Sequence, residues 1–167
     1  MDALQRKAWA SAKATEHFID LHAYSGYRSS VIDSEGKNFD LPVSVSDEEL
    51  GRALLDTLAS SRFLDVGGVY ALNVEAQANY EAWVAKKMAL HGYKSRRALF
   101  KNMKTCTIES QDGEITIVPW HHDKLEGWSG RGIMPDDYVR ISAERPPAEI
   151  GAALKLAFSR CRGAGVP

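Results

Sequence analysis

Hydrophobic and polar positions alternate along residues 17–25 of this chain, where Ile19, Leu21 and Ala23 share one side. A period of two sends successive side chains to opposite faces of a strand, so this segment predicts a half-buried β-strand. Residues 29–33 predict a second strand, and a turn-rich stretch follows it.

The same alternation lies on both sides of the Asp112-Gly113 pair, from residue 104 to residue 119. An Asp-Gly pair accepts the positive φ angles that a tight hairpin turn requires. This segment therefore predicts a β-hairpin, and the shorter alternation of residues 137–142 predicts one further strand.

A helical period begins after Ser46, and Glu49 stands at the position that completes a capping box. Apolar side chains then recur at helical spacing through Leu50, Leu54 and Leu58. Because the capping signal and the apolar stripe agree, we expect an amphipathic helix that begins at Ser46.

Two further helices are predicted from the pattern. Residues 70–91 form the longer one, which Gly92 ends by adopting a left-handed backbone conformation. The other begins at Pro147 and is stopped by Gly163. Residues 1–15 have helical composition and predict a peripheral helix.

These elements do not alternate as βαβ units. The order predicts an α+β fold with a mainly antiparallel sheet and several helices packed against it. The 167 residues fit one domain, so we expect a single domain over residues 1–167, with residues 163–167 as a tail.

Composition limits the class of protein. Apolar residues make up 44% of the chain and charged residues 26%, which is typical of a globular domain. No apolar run has the length of a membrane span, and the amino terminus lacks the apolar region of a secretory signal. Cys106 and Cys161 form no CxxC pair, so we expect reduced thiols and a cytoplasmic location.

The stretch "PWHHDKLEGW" holds the most chemistry, with His121 and His122 adjacent. Neighbouring side chains on a strand point to opposite faces, so this pair is poorly placed to chelate one metal ion. The HExxH spacing and the glycine-rich nucleotide motifs are absent from the sequence. We therefore predict no metal and no cofactor, and we favour a structural or partner-binding role for the pair.

Charge is grouped along the chain although the formal net charge is −1. Residues 86–104 carry seven lysines and arginines and no acid, whereas acids dominate residues 31–65 and 109–126. A basic run with interleaved aromatics is typical of a nucleic-acid surface. Blocks of opposite sign also suit a protein that docks onto a charged protein partner.

Five stretches together resemble one known family. They are "FIDLHAYSGYRSSVID", "LPVSVSDEELGRALLDTLASSRFL", "GYKSRRALFKNMKTCTI", "DGEITIVPWHHDKLEGW" and "PAEIGAALKLAFSRC". Over residues 17–161 they resemble the immunity proteins of bacterial contact-dependent growth inhibition (CDI), in particular the members that inhibit ribonuclease-type toxins. The most specific pieces are "RALFKNMK", "HHDKLE" and "PAEIGAAL".

The resemblance implies a non-enzymatic protein of the cytoplasm. It would bind the carboxyl-terminal toxin domain of a large surface-displayed protein in a one-to-one complex and block the toxin's active site. No catalytic residue, cofactor or metal is implied by the family, and neither a membrane nor a nucleic acid is an expected partner.

A ribonuclease must have a basic cleft for RNA, so its inhibitor should present acids and aromatics. On this argument we predict a toxin-binding set, which consists of Tyr24, Tyr27, Asp33, Glu35, Trp120, His121, His122 and Asp123.

Two alternatives stay open at this point. One is a nucleic-acid-binding module that uses residues 86–104, and it predicts binding that weakens steeply with salt. The other is a small hydrolase that uses His121 or His122 with an acid such as Asp123 or Glu126.

Overall fold

The computed structural model describes residues 7–163. The strands among them are β1 (Lys7–Ala14), β2 (Phe18–Gly26), β3 (Ser30–Ile32), β4 (Asn38–Pro42), β5 (Lys104–Gln111), β6 (Glu114–Pro119), β7 (His121–Lys124), β8 (Gly127–Ser129) and β9 (Val139–Ser142). The helices are α1 (Asp47–Ala59), α2 (Val66–His91), α3 (Arg96–Phe100) and α4 (Pro147–Ser159).

Seven of these strands form one antiparallel sheet in the order β3-β2-β1-β5-β6-β9, and β4 pairs with β2 beside β3. Strands β7 and β8 form a separate hairpin. The α+β fold with a mainly antiparallel sheet, which the sequence predicts, is confirmed. No helix within residues 7–163 is both long and apolar enough to cross a membrane.

The predicted peripheral helix over residues 1–15 is wrong for the part that is described, because β1 lies in the middle of the sheet between β2 and β5. Ala10 and Ala12 face the core and alternate with larger side chains. Alanine favours helices in isolation, and the pairing on both sides overrides that preference. Residues 1–6, and residues 164–167 of the predicted tail, lie outside the described residues.

Helices α1 and α4 cover one face of the sheet, which we call the core face, and they cross closely. A Cβ atom on Gly51 would lie 1.8 Å from the carbonyl oxygen of Pro147, and one on Gly151 would lie 1.9 Å from that of Asp47. Only glycine permits this contact between the two backbones. Leu21 and Ile108 are among the buried residues beneath the two helices.

The opposite face of the sheet, which we call the outer face, is covered at one end by the second half of α2. Phe18 packs there with Trp83 and Val84, and Asp20 forms an ion pair with Lys87 (2.8 Å). Strand β2 is therefore buried on both faces along much of its length, whereas its sequence pattern predicts a half-buried strand.

The predicted cap at Ser46, the helix end at Gly92 and the hairpin turn at Asp112-Gly113 are confirmed, whereas α2 begins at Val66, before the predicted residue 70. Ser46 caps α1 by accepting a hydrogen bond from the backbone N–H of Glu49 (3.1 Å), and Gly92 ends α2 with a φ of 71°. The hairpin turn has positive φ at both Asp112 (53°) and Gly113 (79°). Helix α4 ends at Ser159, before the predicted stop at Gly163.

Candidate functional site

The eight predicted binding residues fall into two groups that the fold keeps apart. The first four lie on β2 and the segment that follows it, and the other four lie on β7 and the residue before it. Two of the eight, Asp33 and His122, are buried. The eight residues therefore do not form one exposed site.

Tyr24 lies on the outer face, where it is paired across the strands with Trp9, and Trp9 in turn is paired with Glu109. Directly opposed residues of antiparallel strands share a face, so these three side chains stand side by side. Burial raises the pKa of Tyr24, and a hydrogen bond with Ser11 partly offsets the rise.

Tyr27 follows β2 and belongs to an aromatic cluster. Its ring lies 5.4 Å from that of Phe63, and Phe63 stacks on Trp9 at 6.4 Å. The N–H of Gly26 donates a hydrogen bond to the Arg62 carbonyl, and the Gly26 carbonyl accepts one from the Leu64 N–H. These two bonds hold residues 62–64, and with them the cluster, against the end of β2. Tyr27 is 37% exposed and can reach a partner.

Asp33 is not available to a partner, because its carboxylate is fully buried. Arg62 binds it through two hydrogen bonds (2.7 and 2.8 Å), and the Ser25 hydroxyl donates a third (2.5 Å). Burial alone would raise the pKa of Asp33, but the hydrogen bonds from Arg62, Ser25 and the Glu35 N–H outweigh it and lower that pKa. Glu35 is exposed and pairs with the same Arg62 (2.9 Å).

His122 is also buried, and the predicted contact role does not fit it. Its ring stacks on Trp128 at a centroid distance of 4.6 Å, and its Nε2 is bonded to the Leu125 carbonyl (2.8 Å). The indole N–H of Trp128 donates to the Met103 carbonyl (3.2 Å). His122 thus holds the β7–β8 hairpin against the body of the protein.

The neighbours of His122 are partly exposed. His121 lies 3.2 Å from Asp123, and its backbone forms a bridge with Arg162. The indole N–H of Trp120 donates to the Thr107 hydroxyl on the outer face (2.9 Å). Within residues 7–163, no group of three or more His, Cys, Asp or Glu side chains is placed to hold a metal ion.

The basic segment over residues 86–104 is not a uniform positive surface. Lys87 is fully buried between Asp20 and Asp40. Arg96 is held between two carboxylates, those of Glu81 and Glu126. The fold therefore neutralises two of the seven cations, and the remaining five stand on exposed positions, namely Lys86, Lys94, Arg97, Lys101 and Lys104.

The structure brings four of the six tyrosines to two adjoining grooves. Tyr24 and Tyr138 line a groove of about 520 Å³ on the uncovered end of the outer face. Tyr27 and Tyr70 line a second groove, of about 580 Å³, beside the first half of α2. Arg28 lines both grooves, so they adjoin. We call the region of Tyr24, Tyr27, Tyr70 and Tyr138 the tyrosine surface.

The first half of α2 adds an apolar stripe to this surface. Val66 (76% exposed), Tyr70 (71%) and Val74 (66%) recur every four residues and point to solvent. Trp83, which faces the sheet, lies about 140° around the helix axis from Tyr70. Adjacent apolar side chains that stay this exposed in a folded chain are typical of an interaction site.

Positive charge flanks the tyrosine surface. Arg28 lies over the ring of Tyr27 at 5.8 Å, and Arg140 lies over that of Tyr138 at 5.5 Å. Both arginines are exposed. Tyrosine and arginine are enriched where proteins bind proteins, because both give large contact areas.

The sequence pattern missed Tyr70 and Tyr138. A signal for Tyr70 exists, since Val66, Tyr70 and Val74 form an apolar stripe on a different side of the predicted helix from Trp83. No local signal marks Tyr138, because its place on the same groove as Tyr24 depends on the order of strands in the sheet.

Comparison with known proteins points to one family. The family model described as CDI immunity protein, CdiI, matches residues 8–161. The curated Immunity protein CdiI-YPIII of Yersinia pseudotuberculosis serotype O:3 is 39% identical, and the match covers 98% of this chain and 100% of that protein.

Solved structures are similar over nearly the whole fold. A chain in the CdiA-CT/CdiI toxin and immunity complex from Yersinia pseudotuberculosis matches with a TM-score of 0.87 and 38% identity, over 94% of this chain and 98% of that one. A Neisseria meningitidis protein of unknown function matches with a TM-score of 0.87 and 37% identity, over 97% and 99% of the two chains.

Proposed function

Because this chain belongs to the CDI immunity protein family, CdiI, we propose that it binds and neutralises the carboxyl-terminal toxin domain of its cognate CdiA protein. The complex contains one copy of each partner, and the protein acts as an inhibitor rather than as an enzyme. It works in the cytoplasm of the cell that makes it, where a toxin delivered by a neighbour would otherwise act.

One observation carries this proposal. Over 94% of its length the chain shares its fold, and 38% of its residues, with a protein from Yersinia pseudotuberculosis whose solved structure is a toxin and immunity complex. Likeness at this level extends to the whole domain, so it supports the same type of partner.

We place the toxin contact on the tyrosine surface. Tyr24 and Tyr27 of the predicted set lie there, and Tyr70 and Tyr138 join them from distant parts of the chain. Tyrosines in the centre of an interface contribute large contact areas at a small entropic cost. The exposed stripe of α2 supplies the apolar area that a tight complex requires.

The charges of the folded protein favour acidic groups on the contact surface of the toxin, whereas the sequence predicts a basic cleft there. Asp33 and Glu35 are both paired with Arg62, and Asp123 lies beside His121, so these acids are poor mimics of RNA phosphates. Arg28 instead favours acidic groups on the toxin. That the toxin is a ribonuclease, and that its active site is covered, stay predictions from the resemblance.

The test uses the toxin domain encoded beside this chain. The two proteins are purified separately and mixed, and calorimetry measures the affinity and the ratio of the partners. We expect Tyr70→Ala to weaken binding by about 30-fold, the effect of truncating a residue at an interface hot spot. A growth assay with the toxin produced inside the cell then shows whether protection falls in parallel.

Leu90→Ala is the matched control. Leu90 is 58% exposed and lies on the same helix, about 30 Å further along its axis. This variant should bind and protect like the unchanged protein. Failure of the unchanged protein to bind its toxin would contradict the proposed function. Normal binding by both variants would contradict only the place of the contact.

A further inference from the structure

The two cysteines, which are 55 positions apart in the sequence, meet at the carboxyl end of α4. Their Sγ atoms lie 3.7 Å apart. Cys106 is buried on the core face of β5, and Cys161 follows α4 and is half-buried. A disulfide requires a sulfur–sulfur distance of about 2 Å, so the two atoms must approach by less than about 2 Å to bond.

One of the two thiols, that of Cys161, faces a cavity. Cys161 lines a pocket of about 160 Å³ whose other walls include Lys104 and Arg162, whereas Cys106 is not part of its lining. Small solutes therefore have a path to Cys161, and the nearby cations favour its ionised form. Cys106 lies behind it, within reach of Cys161 but not of solvent.

The acid–base properties of the pair agree with this geometry. The hydrogen bond from Cys106, backbone hydrogen bonds and the charge of Lys104 together outweigh burial and lower the pKa of Cys161 to about 7. Burial raises the pKa of Cys106 well above its ordinary value. At neutral pH the accessible thiol is thus the one with thiolate character, which is the form that reacts.

We propose that Cys161 and Cys106 form a peroxide-reactive site, in which Cys161 is the attacking thiol and Cys106 the resolving thiol. The Cys161 thiolate attacks one oxygen of hydrogen peroxide, the O–O bond breaks, and sulfenic acid and hydroxide form. The Cys106 thiol then passes its proton to the hydroxyl group of the sulfenic acid while its sulfur attacks the sulfenic sulfur. The S–O bond breaks, water leaves, and a disulfide forms. The protein loses two electrons and one peroxide is reduced.

The disulfide would tie the centre of the sheet to the end of α4. It would close a long loop that includes β6, the β7–β8 hairpin and β9, and so restrict the unfolded chain. Cys106 faces the core, on the opposite side of the sheet from Glu109 and Tyr24. We therefore expect the oxidised protein to resist urea better and to bind toxin with the same affinity.

The test is treatment of the full chain with a small excess of hydrogen peroxide, followed by capping of free thiols and intact-mass measurement. The expected product has lost two hydrogens and takes up no cap. Cys106→Ser should stop at a sulfenic acid, which gains one oxygen and is trapped by dimedone. Cys161→Ser should stay reduced over the same period.

The unfolded chain provides the matched control, because in urea the two thiols lose their different surroundings and should react at similar rates. The proposal is overturned if Cys106 reacts first in the folded protein. It is also overturned if peroxide takes Cys161 to sulfinic acid, or links two chains, without forming the internal disulfide. None of these results depends on toxin binding.

Discussion

At the scale of single residues, Asp33 is a buried acid in a stretch of sequence that is typical of an exposed turn. Its neighbours Ser34 and Glu35 are exposed, yet its own carboxylate is enclosed and held by Arg62 and Ser25. Hydrogen bonds from charged and polar donors offset the cost of burying the charge. Asp33 therefore joins β3 to the segment after α1 instead of facing a partner.

This arrangement predicts a pH dependence of stability. The pKa of Asp33 is lowered in the folded protein, so its contribution is present above the ordinary aspartate pKa, about 3.9, and is lost as the pH falls through the lower folded value. Asp33→Asn should lower the free energy of unfolding at pH 7. Between pH 7 and pH 3, the free energy of unfolding of the variant should fall less than that of the unchanged protein.

Urea unfolding followed by fluorescence at several pH values measures both effects. Asp136→Asn is the control, since Asp136 is exposed on a turn. It should leave the stability at pH 7 and its pH dependence as they are in the unchanged protein. A pH profile for Asp33→Asn that matches the unchanged protein would contradict the assigned role.

The role of the pair His121 and His122 also depends on the contacts of each residue. His122 stacks on Trp128, and Trp128 in turn lies under the ammonium group of Lys13 at 4.6 Å. Burial lowers the pKa of Lys13 to about 8, although the charge of Asp20 opposes the change. The cluster that looks catalytic in the sequence therefore packs a hairpin onto the sheet.

At the scale of secondary-structure elements, α2 has two halves with different tasks. The second half covers the outer face of β2 and is anchored by Lys87, which reaches Asp20 and Asp40. The first half carries the exposed Tyr70 between two exposed valines. One helix thus connects the core to the tyrosine surface.

We predict that Lys87→Met destabilises the protein by about 3 kcal/mol, because it leaves the buried carboxylate of Asp20 without its cation. The neighbouring change Lys86→Met is the control, since Lys86 is exposed. Urea denaturation compares the two. Equal midpoints for the variants would show that the buried ion pair does not anchor α2.

The crossing of α1 and α4 gives a second prediction at this scale. Gly51→Ala should cost about 1–3 kcal/mol, because its methyl group would meet the Pro147 carbonyl and push the helices apart. The control is Gly67→Ala in the first turn of α2, where the added atom lies no closer than 3.5 Å to its nearest neighbour, Asp65. Thermal unfolding should separate the two variants, and equal melting temperatures would contradict the prediction.

At the scale of the whole molecule, the charged surfaces are smaller than the runs of like charge in the sequence predict. The basic segment loses Lys87 and Arg96 to internal ion pairs, and the acidic segment loses Asp33 and Asp40 in the same way. Charges distant in sequence pair across the fold because the sheet brings β2, β4 and α2 together. Runs of charge are thus a weak guide to a binding surface.

The tyrosine surface, in contrast, is formed by residues that lie far apart in the sequence and that the fold brings together. Tyr24 and Tyr27 are near one another in sequence, whereas Tyr70 and Tyr138 come from α2 and from the turn before β9. The uncovered end of the outer face exists because α2 and the β7–β8 hairpin cover only the other end.

The sequence by itself determined the features that depend on local geometry. Ser46 and Gly92 mark helix ends, and Asp112-Gly113 marks the hairpin, because capping and positive φ angles are properties of a few adjacent residues. The α+β class follows from the order of the predicted elements. The family follows from the residues matched over 8–161.

Only the tertiary structure decided which side chains meet. It made a central strand of residues 7–14, buried Asp33 and His122, and brought Cys106 to Cys161. The physical reason is that strand order and helix crossing set contacts between distant residues, and no local pattern encodes them.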